Sequence, residues 1–380
     1  MSKKIKVMSV FGTRPEAIKM VPLVQEMKKE ADIFESCVVV TAQHREMLDQ
    51  VLTAFEIIPD YDLDIMRPNQ TLAEITSRVL LKLDEIMRQE KPDMVLVHGD
   101  TTTAYAASLS AFYHQIRVGH VEAGLRTWQK YSPFPEEINR QLIDVIADDY
   151  FAPTWLAREH LLAEGKNDEH IFVTGNTVID ALQYTVKKDY HHEVLSSIDD
   201  NQRIILVTMH RRENLGEPMR DVFTALKEIV LETPDVELIY PMHLNPKVRE
   251  VAEDVLGNVE RVHLIEPLEV LDFHNLASRS YLILTDSGGI QEEAPSLNKP
   301  VLVLRDTTER PEGVEAGTLH LVGTDYHAVK KATKELLEDK GRYKMMSEAP
   351  NPYGDGIASQ RILQAIAYAF DKAPRPADFK

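Results

Sequence analysis

The sequence of 380 residues has a single cysteine, Cys37, so no disulfide can form within the chain. Cys37 lies in the apolar run SCVVV, which favours a buried core side chain over a nucleophile. No apolar run approaches the roughly 20 residues that span a bilayer, and the opening MSKKIKV lacks the longer apolar region of a secretory signal. We therefore expect a reduced, cytoplasmic protein with no membrane partner.

Basic side chains are scarce as well, since 43 stand against 61 acidic ones and the formal net charge is -18. No long basic tract offsets this charge, so nucleic acid and anionic membranes would meet like charge over most of the surface. The 14 histidines lack the helical i, i+4 pairing of a zinc site. We expect neither a nucleic-acid partner nor a metal.

The sequence is rich in short apolar runs, most of them followed by a helical pattern. Such runs are typical of parallel strands that are covered on both faces by crossover helices. The stretch TLAEITSRVLLKLDEIMRQE, with Ile75, Val79, Leu83 and Ile86 at helical spacing, is one predicted crossover. The fold class is therefore α/β. The runs are IKVMSV, SCVVVT, DMVLVHGD, IRVGHVE, DYFAPT, HIFVTG, RIILVTMH, VELIYPMH, RVHLIEP, YLILTDSGG and PVLVLRD.

The series of strands pauses between about 176 and 202, in a stretch that ends rich in Asp and Ser. We predict two Rossmann-like, doubly wound domains, 1–175 and 176–380, with IASQRILQAIAYAF as the closing helix of the second. Ligands of such sheets gather at the carboxyl ends of the strands. Two sheets that face each other would therefore share one cleft.

The stretch FGTRPEAIKM joins the first predicted strand to a helix. Thr13 and Glu16 have the spacing of a capping box, and Pro15 lies in the first turn. Arg14 and Lys19 add positive charge at a helix start, which favours an anion. A capped helix with a solvated arginine is the alternative, and the stretch alone leaves both open.

The stretch TDSGGIQEEAPS places a glycine-rich turn between a strand and a helix. Ser287, Gly288 and Gly289 let the backbone approach a phosphate closely. The acids Glu292 and Glu293 would repel phosphate but suit the vicinal hydroxyls of a ribose. A plain helix-entry turn is the alternative to a nucleotide site.

Two further turns carry arginines. In VTMHRREN, His210 ends a strand and precedes Arg211 and Arg212, a combination that can donate to a diphosphate and protonate a leaving oxygen. In RDTTERPEG, Arg305 and Arg310 could close over a bound anion. The alternatives are a structural histidine in the first turn and a solvated loop in the second.

Three acids of the first half also stand near strand or helix ends. Asp100 and Glu122 each end an apolar run, and Glu136 begins a helix after two prolines. Acids that converge on one cleft shift each other's pKa and can divide general-acid and general-base work. Helix capping is the alternative role for each of them.

Taken in order, seven motifs resemble those of the bacterial non-hydrolysing UDP-N-acetylglucosamine 2-epimerases over nearly the whole chain. The resemblance implies the two-domain arrangement called GT-B and a homodimer. It also implies reversible conversion of UDP-GlcNAc to UDP-ManNAc by anti elimination of UDP, through a bound 2-acetamidoglucal, without nicotinamide or metal. ManNAc units would go to cell-surface polysaccharide. The motifs are FGTRPEAIKM, HGDTTT, GHVEAGLRT, FPEEINR, HRRENLG, LTDSGGIQEEAPSL and PVLVLRDTTERPEGVEAGT.

The same resemblance assigns roles to individual residues and leaves open which acid removes the C2 proton and which returns it. The catalytic candidates that it implies are Asp100, Glu122, Glu136 and His210. The substrate-binding candidates are Arg14, Lys19, Phe273, Ser287, Gly288, Gly289, Glu293 and Arg310.

Some relatives bind a second UDP-GlcNAc as an activator. The candidates for that site here are Gln43, His44, Gln70 and His243. Glu46 and Asn69 depart from the expected pattern, because they replace an amide and a cation and would weaken capture of a diphosphate.

Three other functions compete with the epimerase. A hydrolysing relative would release free ManNAc and UDP, a GT-B glycosyltransferase would need an acceptor for turnover, and a binding module would have no activity. A glycosyltransferase would have no use for three carboxylates in its first domain, which argues against that alternative.

Overall fold

The computed structural model describes residues 3–42, 45–67 and 69–380, and these form two compact units. The first unit comprises the chain up to Tyr184 together with Tyr353–Lys380, and the second comprises Thr185–Pro352. Among the described residues, no helix is both long and apolar enough to cross a membrane.

The first unit is built on a parallel sheet in the order β3-β2-β1-β4-β5-β6-β7. Its strands are β1 (Ile5–Phe11), β2 (Phe34–Val40), β3 (Tyr61–Asp62), β4 (Met94–His98), β5 (Arg117–Val121), β6 (Asp149–Ala152) and β7 (Ile171–Val173). Its helices are α1 (Arg14–Lys29), α2 (Arg45–Ala54), α3 (Leu72–Glu90), α4 (Thr102–Tyr113), α5 (Glu136–Ile146), α6 (Trp155–Ala163) and α7 (Thr177–Thr185, which crosses into the second unit at its last residue).

The second unit has a parallel sheet in the order β10-β9-β8-β11-β12-β13. Its strands are β8 (Arg203–Thr208), β9 (Val236–Pro241), β10 (Val262–Ile265), β11 (Leu282–Thr285), β12 (Val301–Val303) and β13 (Leu319–Leu321). Its helices are α8 (Glu193–Ser196), α9 (Glu217–Glu232), α10 (Pro246–Leu256), α11 (Val270–Arg279), α12 (Gly288–Glu293), α13 (Pro311–Glu315), α14 (Tyr326–Glu338) and α15 (Lys340–Ser347). The last helix of the chain, α16 (Ala358–Ala369), belongs to the first unit.

The predicted α/β class and the two doubly wound sheets are confirmed. Every apolar run named above contains a strand, and strands such as β4 are buried along their whole length, as expected of a sheet covered on both faces. The predicted helix from Thr71 is α3, with Ile75, Val79, Leu83 and Ile86 all buried. The sequence pattern did not indicate β3 and β13, which are short and carry polar residues.

The predicted domain limits need a correction at the end of the chain. We expected the closing helix to complete the second domain, but α16 packs against α1 in the first unit. Leu363 and Ile366 of its apolar stripe are fully buried there. The first unit also runs to Tyr184 and not to residue 175. An apolar stripe requires a core, but it does not specify which of two cores receives the helix.

Cys37 lies on β2 and is buried, as a core side chain should be. Burial raises the pKa of its thiol to about 12. At neutral pH the side chain is therefore a thiol and not a nucleophilic thiolate.

The turn after β1 depends on Gly12 for space. A Cβ on Gly12 would lie 1.9 Å from Thr41 Oγ1 and 2.9 Å from Thr103 Oγ1, and these two hydroxyls are themselves 3.0 Å apart. Because Gly12 has no side chain, Thr41 after β2 and Thr103 on α4 can both lie close to the end of β1.

We expect Gly12→Ala to lower the free energy of unfolding of the first unit by about 3 kcal/mol, because the added methyl group must displace Thr41. Urea unfolding followed by tryptophan fluorescence measures this, since both tryptophans, Trp128 and Trp155, lie in the first unit. The control is Gly165→Ala. Among the described residues, no atom lies within 4 Å of a Cβ at this position, but φ is +78°, so the expected loss in the free energy of unfolding is about 1 kcal/mol. Equal losses in the two variants would contradict the steric account.

Candidate functional site

Each sheet has a point at which the strand order reverses, and ligands of doubly wound folds bind at the carboxyl ends of the strands there. In the first unit this point lies between β1 and β4, which are followed by Arg14 and Asp100. In the second unit it lies between β8 and β11, which are followed by His210 and Ser287. Arg14, Asp100, His210 and Ser287 therefore follow the strands at which doubly wound folds bind ligands.

The predicted capping box at the start of α1 is confirmed, and it does more than cap the helix. Glu16 accepts hydrogen bonds from the backbone N–H groups of Gly12 (3.1 Å) and Thr13 (2.8 Å). Its other oxygen accepts from Thr101 Oγ1 at 2.6 Å. Burial raises the pKa of Glu16, although these donors oppose the shift. Glu16 thus ties the turn that begins α1, and with it Arg14, to the turn after β4.

Glu122, which follows β5, is surrounded by donors. Lys19 Nζ donates to its carboxylate, Asn176 Nδ2 donates to Oε2 at 3.0 Å, and His98 Nε2 lies 3.7 Å from the same oxygen. The backbone of Glu122 has φ +66°, a left-handed conformation that is uncommon for a residue with a side chain. Such strain is kept where the surroundings fix it, here by three side chains from α1, β4 and the start of α7.

The environment of Glu122 determines its charge. Burial alone would raise the pKa of this carboxyl, but the charge and hydrogen bond of Lys19, together with the nearby His98, hold it well below its usual range. Glu122 is therefore a carboxylate at neutral pH, while only a small part of its side chain is exposed. Because it carries no proton at neutral pH, Glu122 can accept a proton there but cannot donate one.

Asp100 and Glu136 are linked through α5. Arg140 donates to the Asp100 carboxylate, and Asn139 Nδ2 donates to the Asp100 carbonyl at 2.9 Å. Glu136 is the first residue of α5 and stands four residues before Arg140, so the two share a helix face. The structure therefore associates Asp100 with the start of α5, where Glu136 lies.

A buried ionic network lies beneath the turn that carries Asp100. His120 Nδ1 is 2.6 Å from Asp144 Oδ1, and His120 Nε2 is 2.7 Å from the carbonyl oxygen of Gly99. Asp144 also accepts from Arg126 at 2.6 Å. Both ring nitrogens of His120 face oxygen atoms, so the ring joins Asp144 of α5 to the carbonyl next to Asp100.

In the second unit, the glycine-rich turn meets Arg310. A Cβ on Gly288 would lie 3.5 Å from the guanidinium carbon of Arg310, whose Nε donates to Glu292 at 2.8 Å. Ser287 N donates to Thr285 Oγ1 at 2.9 Å. The predicted phosphate turn and the predicted substrate-binding arginine are thus adjacent, with Glu292 orienting the guanidinium.

Glu293 and Phe273, the predicted ribose and uridine contacts, are held by neighbouring elements. Phe273 lies on α11 and is half-buried, and the next residue, His274, places Nε2 3.2 Å from Glu293 Oε2. The other nitrogen of His274 is 2.7 Å from Thr185 Oγ1. This histidine therefore joins α11 to the carboxylate predicted to hold the ribose.

His210 follows β8 beside Asp286, the residue after β11. The backbone N–H groups of His210 and Arg211 each donate to Asp286 Oδ2 at 2.9 Å. The ring of His210 stacks on the ring of His243 at a centroid distance of 5.3 Å and an angle of 9°. Burial, followed by the charge of His210, lowers the pKa of His243, which favours its neutral form.

Only two residues of the predicted activator site, Gln70 and His243, lie within the described part of the chain. Gln43 and His44 lie outside the described residues, as does the side chain of Glu46. Gln70 accepts from Arg78 at 2.9 Å in the first unit, and His243 stacks on His210 in the second. A second nucleotide-sugar site stays a prediction.

Comparison with known proteins gives the family. A family model described as UDP-N-acetylglucosamine 2-epimerase matches residues 25–367. The chain is 64% identical over 368 residues to the UDP-N-acetylglucosamine 2-epimerase of Bacillus subtilis (strain 168), and the match covers 97% of this chain and 96% of the relative. This chain belongs to the UDP-N-acetylglucosamine 2-epimerase family.

Solved structures of the epimerase family agree along the chain. UDP-GlcNAc 2-epimerase from Neisseria meningitidis, bound to UDP-GlcNAc, has a TM-score of 0.84 and 51% identity, covering 96% of this chain and 100% of that one. S. aureus MnaA, solved with UDP, has a TM-score of 0.88 and 56% identity, covering 99% of this chain and 100% of that one. The family resemblance inferred from the motifs is confirmed.

Sequence reasoning missed several residues that lie around the predicted site. His98 and Asn176, which lie close to Glu122, are distant from it in sequence; His98 opens the motif HGDTTT but was not singled out there, and Asn176 lies outside the motifs. Glu137 directly follows the predicted catalytic residue Glu136. Of these two acids only Glu137 is fully buried, and its carboxylate accepts hydrogen bonds from the backbone N–H groups of Thr127 and Trp128 at 3.0 Å. The only signal for Glu137 was the second acid of FPEEINR.

We expect Lys19→Met to raise the pKa of Glu122, because burial then acts without its main opposing charge. In the wild type, Glu122 should remain ionised near pH 4.3, where a free glutamate is about half protonated. NMR titration of 13Cδ-labelled glutamate measures both proteins, and Lys28→Met, an exposed lysine on the same helix, is the control. The same titration midpoint in the wild type and Lys19→Met would contradict this assignment.

Proposed function

We propose that the chain catalyses reversible epimerisation of UDP-GlcNAc to UDP-ManNAc at C2 without releasing free sugar. Its homologues are named UDP-GlcNAc 2-epimerases. The observation that carries the proposal is the ionised, desolvated Glu122 beside Lys19, since C2–H abstraction needs a positioned base. The candidate carboxylates lie in the first unit, and most of the candidates for binding UDP lie in the second.

The proposed reaction is an anti elimination followed by re-addition. A carboxylate takes the C2 proton, the C2–H electron pair forms the C1–C2 double bond, and the C1–O bond to UDP breaks with its electrons going to UDP. UDP then adds to C1 of the bound 2-acetamidoglucal while C2 receives a proton on its opposite face. Asp100, Glu122 and Glu136 are the candidates for the two proton transfers.

Departure of UDP is the second requirement of this reaction. The C2 proton lies beside no carbonyl and is weakly acidic, so the developing charge on the diphosphate must be stabilised strongly. Arg310 beside Gly288, the turn at Ser287 and Gly289, and His210 are suited to that task. Glu293 and Phe273 would hold the ribose and the uracil.

Incubation with UDP-GlcNAc in deuterium oxide tests the reaction. We expect UDP-ManNAc to form, both UDP-sugars to gain deuterium at C2, and neither ManNAc nor UDP to accumulate. Glu122→Gln should lose about 100-fold or more in turnover, whereas Glu169→Gln, an exposed acid of the same unit, should not. Accumulation of free ManNAc and UDP would identify a hydrolysing epimerase, and absence of C2 label with no UDP-ManNAc would refute the proposal.

Arg14 offers a second test, because it starts α1 in the first unit whereas UDP is proposed to bind the second. We expect Arg14→Ala to lower kcat by about 100-fold, the typical effect of removing one stabilising donor. The Kd for UDP alone should change by less than about tenfold, or 1.4 kcal/mol. Isothermal titration with UDP and coupled turnover assays measure the two effects, with Lys28→Ala as control. A larger loss in UDP binding than in kcat would contradict the assignment.

A cytoplasmic setting and a homodimer remain proposals. The exposed side chains of Leu81, Phe112 and Val145 lie on helices α3, α4 and α5 of the first unit, where α4 packs against both α3 and α5. These apolar side chains give a homodimer a surface to bury.

A further inference from the structure

Asp286 is a fully buried carboxylate at the end of β11, next to the predicted phosphate turn. Its Oδ2 accepts three hydrogen bonds, from the backbone N–H groups of His210 and Arg211 at 2.9 Å and from Asn214 Nδ2 at 3.0 Å. These contacts hold the turn after β8 against the end of β11.

The second oxygen of Asp286 has a different environment. Among the described residues, no group hydrogen-bonds Oδ1, although it is buried. His210 Nδ1 lies 3.5 Å from it. A buried carboxylate oxygen without a donor costs free energy. A hydrogen bond from His210 Nδ1–H would satisfy this oxygen.

The ring of His210 is held in a defined orientation. It stacks on His243 at 9°, and His243 Nδ1 accepts from the backbone N–H of Asn245 at 3.1 Å. With Nδ1 of His210 facing Asp286, its Nε2 is on the opposite side of the ring. The exposed fraction of the His210 side chain is 43%, so part of the ring is accessible to a ligand.

We propose that Asp286 is a positioning residue for His210. Its Oδ1 accepts a hydrogen bond from the Nδ1–H of His210, so that Nε2 also carries a proton and donates a hydrogen bond to the diphosphate. The inference rests on the proposed function, in which His210 contacts the leaving UDP. A carboxylate that faces one imidazole nitrogen fixes the tautomer and stabilises the imidazolium.

The alternative is that Asp286 only ties the two strand ends together, and Asp286→Asn separates the two roles. The asparagine oxygen can still accept from His210 N and Arg211 N. Its NH2 group would face His210 Nδ1, which must then accept a hydrogen bond, so the ring becomes neutral with its proton at Nε2. A purely structural role predicts little change at the ring.

The experiment combines kinetics with 15N NMR of histidine-labelled protein in the presence of UDP, with the His210 signals assigned from His210→Gln. We expect protonated Nδ1 and Nε2 in the wild type and an unprotonated Nδ1 in Asp286→Asn. The kcat of Asp286→Asn should fall by about 100-fold, as for loss of a charged donor, and the fall should exceed the loss in UDP affinity. Asp254→Asn, an exposed partner of Arg220, is the matched control with unchanged kcat.

A further variant isolates the tie between the strand ends. Asn214→Ala removes one donor to Oδ2 and leaves Oδ1 in place, so the His210 signals should keep their wild-type pattern. Loss of the Nδ1 proton in Asn214→Ala would favour the purely structural role and overturn the proposal.

Two other outcomes would overturn the proposal. One is an unprotonated His210 Nδ1 in the wild type with UDP, which decides the matter even if Asp286→Asn does not fold. The other is an Asp286→Asn protein with unchanged His210 signals and unchanged kcat. The NMR result needs no turnover, so it is distinguishable from failure of the proposed epimerase activity, which the C2 label tests.

Discussion

The burial of carboxylates at strand ends and on helix α5 is the constraint on which the rest of this structure depends. A carboxylate taken out of water is unstable unless cations or N–H donors replace the lost hydration. Glu122 has Lys19 and Asn176, Asp144 has His120 and Arg126, and Asp286 has two backbone N–H groups. Each set joins elements that are far apart in sequence, so the same contacts that stabilise the charges fix the turns.

This constraint also gives neighbouring acids different properties. Burial dominates at Glu16 and raises its pKa, whereas Lys19 and His98 outweigh burial at Glu122 and lower it. Carboxyls whose environments push their pKa values apart can serve different roles at one pH. The left-handed backbone of Glu122 is kept by the partners that hold it ionised. In the second unit, Asp286 and Arg310 bring charge of both signs to the predicted diphosphate turn.

The fold class and the strands could be predicted from sequence because buried parallel strands are continuous apolar runs. The capping box at Thr13 and Glu16 was predictable because its contacts are local. The placement of α16 was not, since an apolar stripe fits either core. The roles of His98, Asn176 and His120 were not predictable, although His98 and His120 lie inside motifs, because these roles come from contacts with residues more than 20 positions away. Motif resemblance identified the candidate reacting groups but not the side chains that hold them.

The central claim is that carboxylates held ionised at these strand ends move the C2 proton of a UDP-sugar. The most direct measurement follows UDP-GlcNAc that carries deuterium at C2, in ordinary water, by mass spectrometry and initial rate. The account predicts that the deuterium is lost to water as UDP-ManNAc forms, with the labelled substrate reacting several times more slowly than the unlabelled one. Retention of the deuterium in UDP-ManNAc at an unchanged rate would contradict it.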